Sequence, residues 1–149
     1  MLNNKIPPLV VVLFFALIMA LIAHYSVIDF SAFILYLTVS LVTIGCVFCI
    51  AGLVSFRLAN TTVNPSKPEQ ATNLVTSGVY RFSRNPMYVG FVFILLGWGI
   101  WLSSLWALLC VAGFIAYLTL FQIIPEERAL TQLFGEDYIQ YKNKVKRWL

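Results

Sequence analysis

The sequence predicts an all-α membrane protein, a polytopic helical bundle of four transmembrane helices followed by an amphipathic helical tail. Three observations carry that expectation. Hydrophobic residues make up 60% of the 149 positions and charged residues only 11%, outside the range of a water-soluble domain. The apolar residues gather in runs long enough to approach or span a bilayer. Those runs do not alternate apolar with polar, as the strands of a membrane β-barrel would. A chain of this length forms a single domain.

The first span is expected at residues 6–24. Lys5 precedes it in the manner of a secretory leader, but the run exceeds the ~7–15-residue core of such a leader and no small-x-small cleavage site follows. The turn from His24 to Asp29 holds no Lys or Arg, and His24, alone at a helix end, reads as an interfacial residue. The second span, 33–56, carries no charge. Gly45, Cys49 and Gly52 fall at i, i+4 and i+7 within it, a stripe of small residues that lets a neighbouring helix come close. Cys46 and Cys49 resemble half of a metal or redox motif. No second pair accompanies them and Cys110 lies in another run, so all three read as packing residues and no metal site is expected.

Residues 57–85 form the longest polar interval, rich in turn formers such as Asn64-Pro65 and Lys67-Pro68. A loop of that length is usually functional or disordered. The third span, 86–102, covers about 25 Å at the helical rise, short for a bilayer, so its N-terminus is expected at or below the headgroups. Trp98, Trp101 and Trp106 are expected to form an interfacial aromatic belt at its far end. The Ser103-Ser104 turn makes a hairpin with the fourth span, 105–124, which re-emerges beside Pro125. In the tail, 125–149, Leu130, Leu133, Phe134, Tyr138 and Tyr141 recur at helical spacing. Gly135 between Phe134 and Glu136 is expected to end one helix and admit another. Lys142, Lys144, Lys146 and Arg147 make the end basic, as in segments that lie on a membrane surface.

The formal net charge of +4 comes from basic residues that flank apolar runs. It therefore reads as a topology signal, and no nucleic-acid partner is expected. Arg57, Lys67, Arg81 and Arg84 place the long interval in the cytoplasm together with both termini, in a multi-pass protein of the cell membrane. The polar interval and the tail then share one face of the membrane, the condition for a shared site.

Two segments carry chemistry. Asn85-Pro86 suits a helix start, with Asn as cap and Pro at the first helical position. A helix N-terminus flanked by Arg81 and Arg84 is also an anion site. Glu126-Glu127 after Pro125 suits the first turn of a helix by complementing its dipole, or else supplies carboxylates for hydroxyls or a cationic group.

The pattern Gly78-x-Tyr80-x-x-x-Arg84-Asn85-Pro86-x-Tyr88-x-Gly90, followed by Glu126-Glu127-x-x-Leu130-x-x-x-Phe134-Gly135-x-x-Tyr138-x-x-Tyr141 and a Val-x-Arg-Trp ending, resembles the isoprenylcysteine carboxyl methyltransferase and phospholipid methyltransferase family of integral membrane enzymes. The resemblance covers Leu74 to Leu149. It implies S-adenosylmethionine as methyl donor, held by Gly78, Tyr80, Arg84, Asn85, Pro86, Tyr88, Glu126 and Glu127. Asn85 stands where many members carry histidine; it can hydrogen-bond but cannot titrate near neutral pH. Of the two acids, Glu127 is expected to be the stronger ligand for the donor's ribose or ammonium. Arg128 is the candidate catalytic residue, orienting an acidic acceptor. The implied partners are membrane lipids and a lipophilic acceptor, either an isoprenylcysteine-like carboxylate or a lipid headgroup, methylated by in-line displacement. Two alternatives compete. A nicotinamide-dependent membrane reductase of related architecture would want more basic residues and a glycine-rich phosphate loop. A non-enzymatic membrane interaction protein would leave two polar motifs on one face as coincidence.

Overall fold

The computed structural model describes residues 6–26, 31–59 and 73–149. Residues 60–72, part of the predicted polar interval, lie outside them, as do Lys5 and Asp29. The described residues are all helix, turn and coil, with no strand among them.

Helix α1 (Pro8–Ile22) starts with Pro8 in its first turn, where a missing N–H breaks no helical bond, and ends in a 3-10 turn at Ala23–Tyr25. Helix α2 (Ala32–Leu58) is longer than expected at both ends, with Ser31 accepting from the Ile34 N–H at 3.4 Å. Helix α3 (Pro86–Trp101) is as short as its apolar run implies. Helix α4 (Leu105–Leu118) follows a turn in which Ser103 takes φ 51° and Ser104 accepts from the Ala107 N–H. Helix α5 (Ile124–Phe134) and helix α6 (Glu136–Lys144) flank Gly135, whose φ of 52° is the left-handed break expected there.

Among the described residues, two helices are long and apolar enough to cross a membrane: α2, and the continuous helix from Leu105 to Phe134 that joins α4 to α5. Helices α1 and α3 are apolar but shorter. Leu13, Phe14 and Leu17 on α1 and Tyr36, Val47 and Ile50 on α2 are exposed. So large an apolar surface suits lipid rather than water.

The small-residue stripe sets how the bundle packs. A Cβ on Gly45 would stand 2.6 Å from the Gly90 carbonyl oxygen, and one on Gly90 would meet the same Gly45 oxygen at 2.6 Å. A Cβ on Gly52 would meet Met87 at 2.5 Å. Helices α2 and α3 thus touch backbone to backbone, and Cys49 Sγ lies 3.6 Å from the Met87 carbonyl oxygen within that seam. The core proper sits between α1, α3 and α4, where Met19, Leu95, Phe114 and Leu118 are fully buried.

One expectation is corrected. Pro125 does not open a new helix after a break. The chain passes through a π turn at Thr119–Ile123 and continues helically past Pro125. Proline lacks the N–H that the carbonyl four residues earlier would use and crowds that carbonyl; the wider turn just upstream accommodates the ring. The Trp98 indole N–H donates to the Ala16 carbonyl of α1 at 3.1 Å. Trp106 is 71% exposed.

Candidate functional site

The start of α1, the end of α2, the start of α3 and the α4–α5 junction come together at one end of the bundle, and the tail folds over them. The segment leading into α3 is shaped first by Gly78. Its φ is 60°, and a Cβ there would stand 2.8 Å from Ser55 Oγ on α2, so both conformation and space call for glycine. The following 3-10 turn, Gly78–Arg81, buries Tyr80, whose ring meets Phe56 edge-on at 5.4 Å. Pro86 then begins α3 and is fully buried.

Asn85 occupies the cap position of α3, but its side chain does not cap the helix. Its Nδ2 instead donates to the Arg147 carbonyl at 2.9 Å. Ser83 Oγ donates to the same carbonyl at 3.4 Å and accepts from the Asn85 N–H at 3.1 Å. The Arg84 N–H donates to the Lys146 carbonyl at 3.0 Å. Farther out, the Tyr141 hydroxyl donates to the Tyr80 carbonyl at 2.7 Å. After α6 the chain is extended at Val145, and Trp148 packs against the core. The last residues therefore strap the Arg-Asn-Pro segment from outside.

The two glutamates sit side by side in sequence and face different partners. Glu126 Oε1 accepts from the Tyr88 hydroxyl at 2.7 Å. Burial pushes the Glu126 carboxyl up to about 8; the Tyr88 hydrogen bond works against the shift and the neighbouring Glu127 charge adds to it. Glu127 is 7% exposed and held by two arginines. Arg147 grips it with both forks, Nε to Oε1 at 2.9 Å and Nη2 to Oε2 at 2.8 Å. Arg84 Nη1 lies 3.0 Å from Oε1, an ionic contact off the hydrogen-bond direction. Burial alone would raise the Glu127 carboxyl, but the Arg147 hydrogen bonds and the Arg84 and Arg147 charges outweigh it and hold the group below its ordinary value.

Of the sequence-predicted residues, Arg84, Tyr88, Glu126 and Glu127 are brought into contact across the two segments, and Gly78, Tyr80, Asn85 and Pro86 shape the backbone around them. Arg128 is not in this cluster. It is exposed and faces an open groove of about 490 Å³ on the other side of Glu127, lined also by Ile124, Thr131, Gln132, Lys142 and Arg147. His24 lies at the opposite end of the bundle, and no group of three or more metal-ligating side chains occurs among the described residues. Arg147 was quoted in the sequence pattern but given no role; its signal was the Arg-Trp ending, and its contact with Glu127 depends on the tail folding back.

The cluster has chemistry to spare. Arg84 Nε and Gln122 Oε1 are buried without a hydrogen-bond partner among the described residues. Gln122 lies in the π turn, where its Nε2 donates to the Ile6 carbonyl at 2.7 Å. A buried guanidinium donor left over suits a carboxylate, and a buried amide oxygen left over suits an N–H or hydroxyl. A donor carrying a carboxylate, an ammonium and a ribose diol fits that set.

The phospholipid methyltransferase family model matches residues 33–137. The chain belongs to the isoprenylcysteine carboxyl methyltransferase and phospholipid methyltransferase family. It is similar to the protein-S-isoprenylcysteine O-methyltransferase of Saccharomyces cerevisiae, 33% identical over 142 residues that cover 88% of this chain and 58% of that protein. The human protein-S-isoprenylcysteine O-methyltransferase is 36% identical over 93 residues, 58% of this chain and 30% of that protein. A Haemophilus influenzae protein named only as uncharacterized is 46% identical over 63 residues, 42% of this chain and 100% of that protein. The chain thus spans 58% or less of the length of these two methyltransferases. No solved structure matches it.

Proposed function

We propose that this chain is an integral membrane methyltransferase that moves the methyl group of S-adenosylmethionine to a lipophilic acceptor, an isoprenylcysteine-like carboxylate or a lipid headgroup, by in-line displacement. One observation carries the reading: the two polar segments of the family pattern meet, Tyr88 on Glu126 at 2.7 Å and Arg84 on Glu127 at 3.0 Å, with a buried donor on Arg84 left unused. When bound, S-adenosylmethionine supplies an electrophilic methyl on a sulfonium.

The residues divide the work. Arg84 Nε takes the donor's carboxylate. Glu126, with one oxygen on Tyr88, offers the other to the ammonium or ribose diol. Glu127 has both oxygens committed to arginines, so we assign it a positioning role and move the ligand role to Glu126. Asn85, Pro86, Gly78 and Tyr80 hold the backbone that presents Arg84 and Tyr88. Arg128 stands outside the cluster, and we leave it out of the catalytic set. Most of the rate enhancement then comes from positioning donor and acceptor, since an anionic nucleophile meeting a sulfonium cancels charge and gains from a dry site.

The bundle is proposed to sit in the cell membrane as four spans, α1 and α3 included, with both termini and the site in the cytoplasm. Titration calorimetry on the purified full chain tests the donor. S-adenosylmethionine or its demethylated product should bind and raise the melting temperature by mass action. No heat and no shift with either, together with a shift from nicotinamide dinucleotide phosphate, would replace this reading with the reductase.

A further inference from the structure

The groove beside Glu127 lies outside the proposed donor site: neither Tyr88 nor Glu126 lines it. Its walls come from α5, α6 and the returning tail, and it presents Arg128, Lys142 and Arg147. The one carboxylate in the lining, Glu127, is already shared by Arg147 and Arg84. Arg128 and Lys142 make no ion pair among the described residues, although the Lys142 charge acts on Glu127, and the cations of the lining outnumber its carboxylate. Gln132 adds an amide to the lining, while the Thr131 hydroxyl donates to the Glu127 carbonyl at 2.6 Å. Ile124 is the apolar residue of the lining; Leu120, 57% exposed, lies about one turn back on the same helix, and Leu109, 56% exposed, farther along it. Cations in the lining and exposed leucines along the same helix match an amphiphile with a negatively charged head.

We propose that this groove binds the phosphate of an anionic membrane lipid, with Arg128 and Lys142 on the phosphate and the acyl chain along the Leu109–Leu120 face. Basic pockets beside membrane helices hold lipid phosphates in this way, and each cation near such a surface contributes about a factor of five in affinity. The site anchors the α5–α6 corner against the membrane, and through the Arg147–Glu127 contact it steadies the cluster beneath.

The test uses the full chain in phosphatidylcholine nanodiscs doped with phosphatidylglycerol, read by native mass spectrometry of retained lipid and by melting temperature. Phosphatidylglycerol should be retained over phosphatidylcholine and should raise the melting temperature. The Arg128→Gln, Lys142→Gln double variant should lose that preference by at least about tenfold, and Arg128→Lys with Lys142→Arg should keep it. Folding of the charge-removed variant is checked by its melting temperature in pure phosphatidylcholine; if it does not fold, the two single Gln variants replace it, each with a partial loss. Inorganic phosphate giving the same rise as the lipid would reassign the groove to a free phosphate. Equal retention of the two lipids by the unmodified chain, or an undiminished preference in the double variant, would overturn the proposal. None of these readouts depends on methyl transfer.

Discussion

At residue scale, adjacent glutamates should respond to the same substitution with opposite signs. Glu126 carries a carboxyl raised from 4.5 to about 8 in the folded chain. The folded state therefore binds the extra proton between those values, and stability falls as pH rises through that window. Replacing Glu126 with Gln removes the cost: the variant should melt at or above the unmodified chain near pH 8, with the pH slope flattened. Glu127 is lowered. Its stabilisation is present above the ordinary carboxylate value and is lost as pH falls through the folded one. Glu127→Gln leaves Arg84 buried without its counter-charge and should cost about 3 kcal/mol at neutral pH. Melting curves of both variants between pH 5 and about pH 8.5 check this; destabilisation of equal size in both would remove the distinction. In the same preparations at about pH 8.5, where the Glu126 carboxyl is ionised, Glu126→Gln should lose about ten- to hundredfold in donor affinity, for one charge-assisted hydrogen bond of ~1.5–3 kcal/mol.

At the scale of elements, the seam between α2 and α3 should not tolerate a methyl group. At Gly45 and Gly90 the added Cβ meets backbone oxygen at 2.6 Å, which cannot turn aside as a side chain would. Gly90→Ala should cost about 1–3 kcal/mol or block folding. Gly113→Ala on α4 finds its nearest neighbour, Phe15 Cε1, at 3.5 Å; it should be neutral or slightly stabilising, helped by alanine's helix propensity. Thermal melting of the purified pair decides, and similar melting temperatures would mean the helices do not meet backbone to backbone. The seam was legible in the sequence because three small residues at helical spacing have a single geometric consequence. Pro125 misled for the opposite reason. Its usual effect is local and known, but the π turn that absorbs it depends on how the surrounding helices pack.

At the scale of the molecule, helix order was readable from the apolar runs, and the motifs named residues that meet at one end of the bundle, whereas the tail's return was not readable. Nothing in Lys146-Arg147 announces that its carbonyls bond Arg84 and Asn85, since those contacts join positions more than 60 residues apart through backbone oxygens that every residue carries. The proposed topology, with the Arg-Asn-Pro segment and the tail on one side of four spans, is checked by thiol labelling in a background without native cysteines. A cysteine at Ser66 should label from the cytoplasm, and those at Ser31 and Ser103 from the opposite side. Labelling of positions 66 and 103 from one side would contradict it. The central claim, that this end of the bundle is a methyl-transfer site, is tested most directly by incubating the purified full chain with methyl-labelled S-adenosylmethionine and membrane lipid extracts, and identifying any labelled product by mass. Label should appear in a lipophilic product with the unmodified chain and, at about pH 8.5 where Glu126 is ionised, fall at least about tenfold with Glu126→Gln at subsaturating donor. No labelled product from any extract, in protein that binds the donor and melts cooperatively, would contradict the account.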